Sequence, residues 1–128
     1  MKAILIKTDF EDIPSFIEFN SDNELNTYHK YIGCTFTDTT TLWYDGERYS
    51  IDCVVDDEGM LNSSKMNERF WWAHRKGYIN YNLFGNVIIV MTDRFTGETV
   101  DLDTNFVIKI LCDNCILNNE DIALMRIK

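Results

Sequence analysis

The four cysteines are the residues with the clearest capacity for chemistry. Cys112 and Cys115 form a C-x-x-C pair in the stretch ILCDNCIL, and Cys34 and Cys53 lie far upstream. A C-x-x-C turn presents two thiolates from one loop, and zinc takes four such ligands in a tetrahedron. If the strands predicted around the upstream cysteines are neighbours, all four sulfurs can converge. We therefore expect a structural zinc ion bound by Cys34, Cys53, Cys112 and Cys115, which fastens the C-terminal segment to the sheet.

Two other interpretations of the cysteines stay open. Cysteine is among the most frequently buried residue types, so Cys34 and Cys53 on apolar strand faces are also explained as inert core thiols. A C-x-x-C pair occurs in redox proteins as well, but here it lacks a thioredoxin-like strand-to-helix context. The sequence contains no Walker loop, dinucleotide-binding glycine motif, zinc-protease motif or nucleophile elbow. We therefore expect a protein that is not an enzyme.

Carboxylates concentrate at two predicted turns. Asp45 and Glu47 lie at the tip of a predicted hairpin, and Asp56, Asp57 and Glu58 follow its second strand. The net charge is −9, from 21 acidic and 12 basic residues. A surface this acidic attracts a strongly basic partner, so these five residues are candidate partner contacts. The alternative is that they are ordinary solvated turn residues.

One segment, RFWWAHRKGYINYNLFG, combines many aromatic residues with a short basic cluster. Successive residues of a helix rotate by about 100°, so Phe70, Trp71 and Trp72 cannot all face the core. At least one tryptophan is therefore expected to be partly exposed. Exposed tryptophan is a preferred anchor at protein interfaces, which makes Trp71 and Trp72 candidate partner contacts. The alternative is a wide core helix.

The hydrophobic pattern predicts an α+β fold. We expect a mostly antiparallel sheet of about five to seven strands, two or three helices, and a C-terminal segment tied down by the zinc site. Apolar runs predict strands at AILI, SFIEF, YIGCTFT, TLWY, ERYSIDCVV and NVIIVMT. A length of 128 residues suits a single domain over 1–128, with a core in 1–105 and a C-terminal segment in 106–128.

Helix boundaries are predicted from capping residues. Ser21 and Glu24 have the spacing of a capping box, and Gly33 is a suitable stop for that helix. A second helix, containing RFWWAHRK, is predicted to begin at Ser63 or Ser64.

Composition also excludes some partners. No apolar run approaches the roughly 18 residues that cross a membrane, and the N-terminal run is too short for a signal peptide. The basic cluster HRKG at 74–77 is too small for direct binding to nucleic acid. We expect a cytosolic protein that binds neither membrane nor nucleic acid.

Several short motifs resemble those of a small family of phage and mobile-element proteins whose domain has no assigned function. The motifs are MKAILIKT, YIGC, VVDDEGML with Asn67, LFGNVIIV and GETVDLD. They span about residues 1 to 105. This sequence departs from the family pattern in a longer hairpin around DTTTLWYDGERYS and in the tail that carries CDNC.

A looser resemblance concerns function. The combination of acidity and clustered cysteines is similar to metal-binding phage anti-CRISPR proteins that act on the type II-A nuclease Cas9. This resemblance implies a stoichiometric inhibitor in the host cytoplasm that occupies a positively charged channel of the nuclease and blocks loading of target DNA. The alternative is a phage accessory or regulatory module that binds another host protein.

Overall fold

The computed structural model of the protein describes residues 1–59 and 65–127. The described residues form six β-strands and four α-helices, so the predicted α+β class is confirmed. In chain order the elements are β1 (Lys2–Ile6), β2 (Ser15–Glu18), α1 (Glu24–Ile32), β3 (Thr37–Tyr44), β4 (Tyr49–Asp56), α2 (Glu68–Arg75), β5 (Val87–Asp93), β6 (Glu98–Val100), α3 (Thr104–Asp113) and α4 (Asn119–Ile127). The two or three predicted helices become four because two separate helices form after Asp103.

All six strands belong to one sheet with the order β2-β1-β5-β4-β3, and β6 pairs with β5. Each pairing in the described ranges is antiparallel. The apolar run predicted at 86–92 forms β5, the strand on which the sheet is centred. Its Ile89 lies opposite Ile4 of β1 and Cys53 of β4, and all three are fully buried.

Helices cover both faces of the sheet. On one face α2, α3 and α4 enclose the larger core, in which Ile51, Cys53 and Val55 are three alternate residues of β4. On the other face α1 contributes Tyr28 to a smaller cluster that includes Val54. Alternate residues of a strand point to opposite faces, so β4 is covered on both sides and its residues from Ser50 to Val55 are all buried, including the acid Asp52.

The first helix ends as predicted and begins differently. Gly33 adopts a left-handed conformation with φ of 76°, and its N–H donates to the His29 carbonyl. The predicted capping box at Ser21 and Glu24 is shifted by one residue at the other end. There the Asn20 N–H donates to the Asn23 Oδ1 at 2.9 Å. The Glu24 carboxylate instead accepts a hydrogen bond from the Tyr28 hydroxyl at 2.7 Å.

The second helix begins later than predicted. Its first residue is Glu68, and Asn67 occupies the N-cap position. The predicted start at Ser63 or Ser64 lies outside the described residues. None of the helices in the described ranges has the length and apolar character that crossing a bilayer requires.

The C-terminal segment is fastened by a buried ion pair. The Arg69 guanidinium donates two hydrogen bonds to the Asp121 carboxylate, at 2.6 and 2.9 Å. Their side chains are only 1% and 4% exposed. Ile116, Leu117 and Met125 bury their side chains in the same core as α2. An arginine–carboxylate pair and apolar packing thus anchor the C-terminal segment.

Candidate functional site

Four acidic residues are among those that line one groove at the open end of the β3–β4 hairpin. The groove has a volume of about 270 Å³. The acids are Asp38, Asp56, Asp57 and Glu58, and the groove that they line is called the acidic groove below. Asn82, Leu83 and Phe84 form its opposite wall.

The hairpin register brings the four acids together. Thr37 at the start of β3 pairs with Asp56 at the end of β4, so Asp38 lies opposite Val55. The Asp57 N–H donates to the Phe36 carbonyl at 3.0 Å, which extends the pairing by one step beyond the strands. The Glu58 N–H then donates to Asp56 Oδ1 at 2.9 Å and turns the chain.

Gly59 lets this turn approach the opposite wall. A Cβ atom at this position would lie 3.0 Å from the Phe84 Cβ and 3.4 Å from the Asp56 carbonyl oxygen. A side chain there would push the turn away from Phe84. The glycine of the DDEG sequence therefore sets the width of the acidic groove.

The charge of the groove defines what it can bind. None of the described residues that line it is basic. Phe84, an aromatic residue, lines the groove together with the acids. A concave site of one charge sign concentrates ions of the opposite sign, and an aromatic ring adds contact area. The arrangement suits a lysine- or arginine-bearing segment.

The other two predicted acids lie at the opposite end of β4. With eight residues rising about 3.3 Å each, β4 separates Asp45 and Glu47 from the acidic groove by roughly 25 Å. Asp45 Oδ1 accepts the backbone N–H groups of Glu47, Arg48 and Tyr49 at 2.8, 2.8 and 3.1 Å. These N–H groups, chiefly that of Glu47, lower the pKa of Asp45. Asp45 therefore shapes the hairpin tip, and the five predicted contact acids divide between two places.

A second carboxylate supports the same hairpin tip. Arg48 Nε lies 3.1 Å from Asp93 Oδ1, and its terminal nitrogen lies 2.8 Å from Oδ2. Asp93 is only 7% exposed, and the hydrogen bond from Arg48 lowers its pKa. The bidentate geometry ties the β3–β4 hairpin to the end of β5.

Stability should decrease in acid through these two carboxylates. Asp45 and Asp93 have a lowered pKa in the folded state, whereas an aspartate in the unfolded chain has a pKa of about 3.9. Their contribution to the free energy of unfolding is therefore complete above the unfolded pKa. It is lost as the pH falls through the lowered pKa values of the folded state. Urea midpoints measured from neutral to strongly acidic pH should show this decline. Asp93→Asn should flatten it, and an unchanged slope in that variant would contradict the assignment.

The two candidate tryptophans differ in exposure. Trp72 is 44% exposed, as the helical rotation predicts for at least one of the pair. Trp71 is half-buried, and its ring meets that of Trp72 edge to face at 4.7 Å. The Arg75 guanidinium lies 5.5 Å from the centre of the Trp71 ring. Trp72 is therefore the one of the two that presents a free aromatic surface.

The four cysteines occupy different environments. Cys53 is fully buried in the middle of β4, beside the Tyr81 hydroxyl, and burial raises its pKa. Cys34 lies before β3 rather than within it, and burial together with Asp56 raises its pKa. Cys112 ends α3, and burial and nearby carboxylates raise its pKa. Cys115 follows in a left-handed conformation with φ of 59° and contacts the Tyr78 hydroxyl.

These positions do not combine the cysteines into one ligand set. Within residues 1–59 and 65–127, no group of three or more His, Cys, Asp and Glu side chains is placed to hold a metal ion. The predicted convergence requires Cys34 and Cys53 to lie on two neighbouring strands. Cys34 instead precedes β3, which begins at Thr37. Cys53 lies in an apolar core, where an ion would lose its hydration.

Sequence reasoning missed Asp38 as a member of the groove. A register counted back from the Asp45-Gly46 turn places Asp38 at the end of β4, opposite Asp56, so the hairpin signal could have found it. The pairing shifts by one residue between Thr41 and Trp43, and Asp38 lies opposite Val55 instead.

The fold and the groove define a small α+β domain with a groove lined by four acidic residues. The chain belongs to the family described as Domain of unknown function (DUF3846), which matches residues 1–113. The sequence resemblance to a domain family without an assigned function is thereby confirmed. Neither the curated proteins nor the solved structures contain a match to this chain.

Proposed function

We propose that the protein is a binding module of a phage or mobile element that acts on a basic surface of a host protein in the host cytoplasm. The observation that carries this proposal is the convergence of Asp38, Asp56, Asp57 and Glu58 on one groove that no described basic residue lines. Four carboxylates at one concave place favour a cationic partner and repel nucleic acid phosphate. Val55, Leu83 and Phe84, which line the same groove, provide adjacent apolar contacts.

The specific partner that we propose is the type II-A nuclease Cas9, with the protein acting as an anti-CRISPR inhibitor. Cas9 holds the guide–target heteroduplex in a positively charged channel. A folded acidic domain that occupies such a channel blocks loading of target DNA without any catalytic step. This choice of partner rests on the resemblance to metal-binding anti-CRISPR proteins. The alternative is an accessory or regulatory module with another basic host partner.

The test compares two triple variants of equal charge change. Asp56→Asn, Asp57→Asn and Glu58→Gln neutralise three acids of the groove. Glu18→Gln, Asp22→Asn and Glu98→Gln neutralise three exposed acids away from it. We expect the groove variant to bind Cas9 about 100-fold more weakly, and the control variant to stay within about threefold.

Three readouts separate the possible outcomes. Wild-type protein should protect target DNA from cleavage at an equimolar ratio, and added salt should weaken the complex. Absence of protection at large molar excess rejects Cas9 as the partner, and a pulldown from host lysate then identifies another one. Equal binding by the two triple variants rejects the acidic groove as the contact surface.

The structural zinc ion stays a prediction. Cys112 and Cys115 are partly exposed, which favours them over the enclosed Cys53 as ligands. Metal analysis of protein purified without a histidine tag tests this. Stoichiometric zinc that survives Cys53→Ala and is lost in Cys115→Ser would support the C-x-x-C pair. A zinc content near zero, together with a melting temperature that a chelator does not change, would contradict the prediction of a structural zinc ion.

A further inference from the structure

A second cavity lies at the C-terminal end of α2 and shares no lining residue with the acidic groove. It has a volume of about 380 Å³ and lies between α2, Phe10 and the connection from α3 to α4. Phe10, Trp72 and Leu117 supply apolar walls. Phe10 and Trp72 are 40% and 44% exposed, so both rings are accessible from solvent. Concave, mostly apolar sites of this size hold small ligands.

The polar groups of this cavity leave one uncompensated positive charge. Arg69 lines it, but the charge of Arg69 is neutralised by Asp121. Lys76 also lines the cavity, and it forms no ion pair with any residue in the described part of the chain. The Lys76 ammonium favours a ligand with an anionic acceptor group.

A neighbouring groove that shares Phe10 and Trp72 with this cavity carries an excess of acidic residues. Its lining includes Asp9, Glu11, Asp12 and Glu68, against one lysine, Lys65, which pairs with Asp9 and Glu68. A negative group is repelled from that side and attracted toward Lys76. A ligand whose aromatic ring lies between Phe10 and Trp72 would therefore have its negative group toward Lys76, at the end of α2.

We propose that this cavity binds a small aromatic carboxylate, with its ring against Phe10 and Trp72 and its carboxylate toward Lys76. Ring stacking supplies contact with the exposed aromatic faces, and the lysine supplies charge complementarity. The proposal is independent of the acidic groove, because the two sites share no lining residue.

The experiment titrates the intact protein with 2-naphthoate and with its neutral match, 2-naphthamide, followed by ligand-observed NMR and calorimetry. We expect one saturable site for naphthoate with a Kd at or below about 1 mM. Lys76→Gln should weaken naphthoate about tenfold and leave naphthamide within about twofold. Trp72→Ala, at an exposed position, should weaken both at least about tenfold.

Arg75→Gln is the matched control, since it removes a neighbouring positive charge that stacks on Trp71 instead. It should leave naphthoate binding within about twofold. Non-saturable binding, equal affinity for acid and amide, or full binding by a folded Trp72→Ala variant would each overturn the proposal. Circular dichroism of every variant verifies folding.

Discussion

Replacing Asp121 with alanine is expected to lower the free energy of unfolding by about 3–5 kcal/mol. The substitution leaves the Arg69 guanidinium, 1% exposed, without its carboxylate partner inside the protein. Two further acceptors, the carbonyl oxygens of Ile116 and Phe10 at 3.1 and 2.8 Å, do not neutralise the charge. Urea unfolding followed by circular dichroism measures the change. α4 should lose its attachment to α2 first.

The exposed pair Lys109–Asp113 provides a control on α3. Its N–O distance is 3.0 Å, but both side chains are more than half exposed. Asp113→Asn should cost no more than about 0.5 kcal/mol, because surface pairs contribute little. The double variant Arg69→Met, Asp121→Leu should recover most of the stability, since paired apolar side chains replace a buried ion pair at little cost. A single Asp121→Ala variant as stable as the wild type would show that Arg69 finds water or another partner.

Replacing Asn67 with aspartate is expected to cost about 4 kcal/mol at neutral pH. The Asn67 amide is fully buried, and its Nδ2 donates to the carbonyl oxygens of Ile6 and Gly85 at 3.2 and 3.1 Å. An ionised carboxylate in its place would face those oxygens without a donor. The same residue holds the start of α2, where its backbone N–H donates to the Leu83 carbonyl.

The pH dependence of this variant distinguishes charge from lost packing. A buried carboxylate without donors has a raised pKa in the folded state, so its cost should grow as the pH rises above the unfolded value of about 3.9. Asn67→Ala should be destabilised by about 2–3 kcal/mol at every pH, because it loses hydrogen bonds and introduces no charge. Asn80→Ala, at an exposed position, should change stability by less than about 0.5 kcal/mol. Equal pH profiles for the aspartate and alanine variants would argue against charge burial.

Local signals in the sequence located the main elements. The apolar run at 86–92 corresponds to β5, the Asp45-Gly46 turn forms the hairpin tip, and Gly33 ends α1. Asp103 also caps α3 through a hydrogen bond to the Phe106 N–H. Each of these depends on neighbouring residues, whose backbone preferences are visible in the chain itself.

The candidate site was predicted only in part. Asp56, Asp57 and Glu58 do line one groove, and Asp38 joins them through the hairpin register, which was not used to predict the site. Asp121 lies in the first turn of α4, and its carboxylate pairs with Arg69, a partner that the local sequence does not indicate. The cysteines illustrate the reverse case, since a suggestive spacing does not bring Cys53 to the C-x-x-C pair in the described residues.

The sequence by itself determined the α+β class, the turns and the acidic character of the protein, because these depend on residue type, hydrophobic period and net charge. The tertiary structure alone decided which distant side chains meet, such as Arg69 with Asp121 and Asn67 with the end of β1. Partners separated by many positions along the chain are selected by packing and strand register, and nothing in their immediate neighbours records that choice.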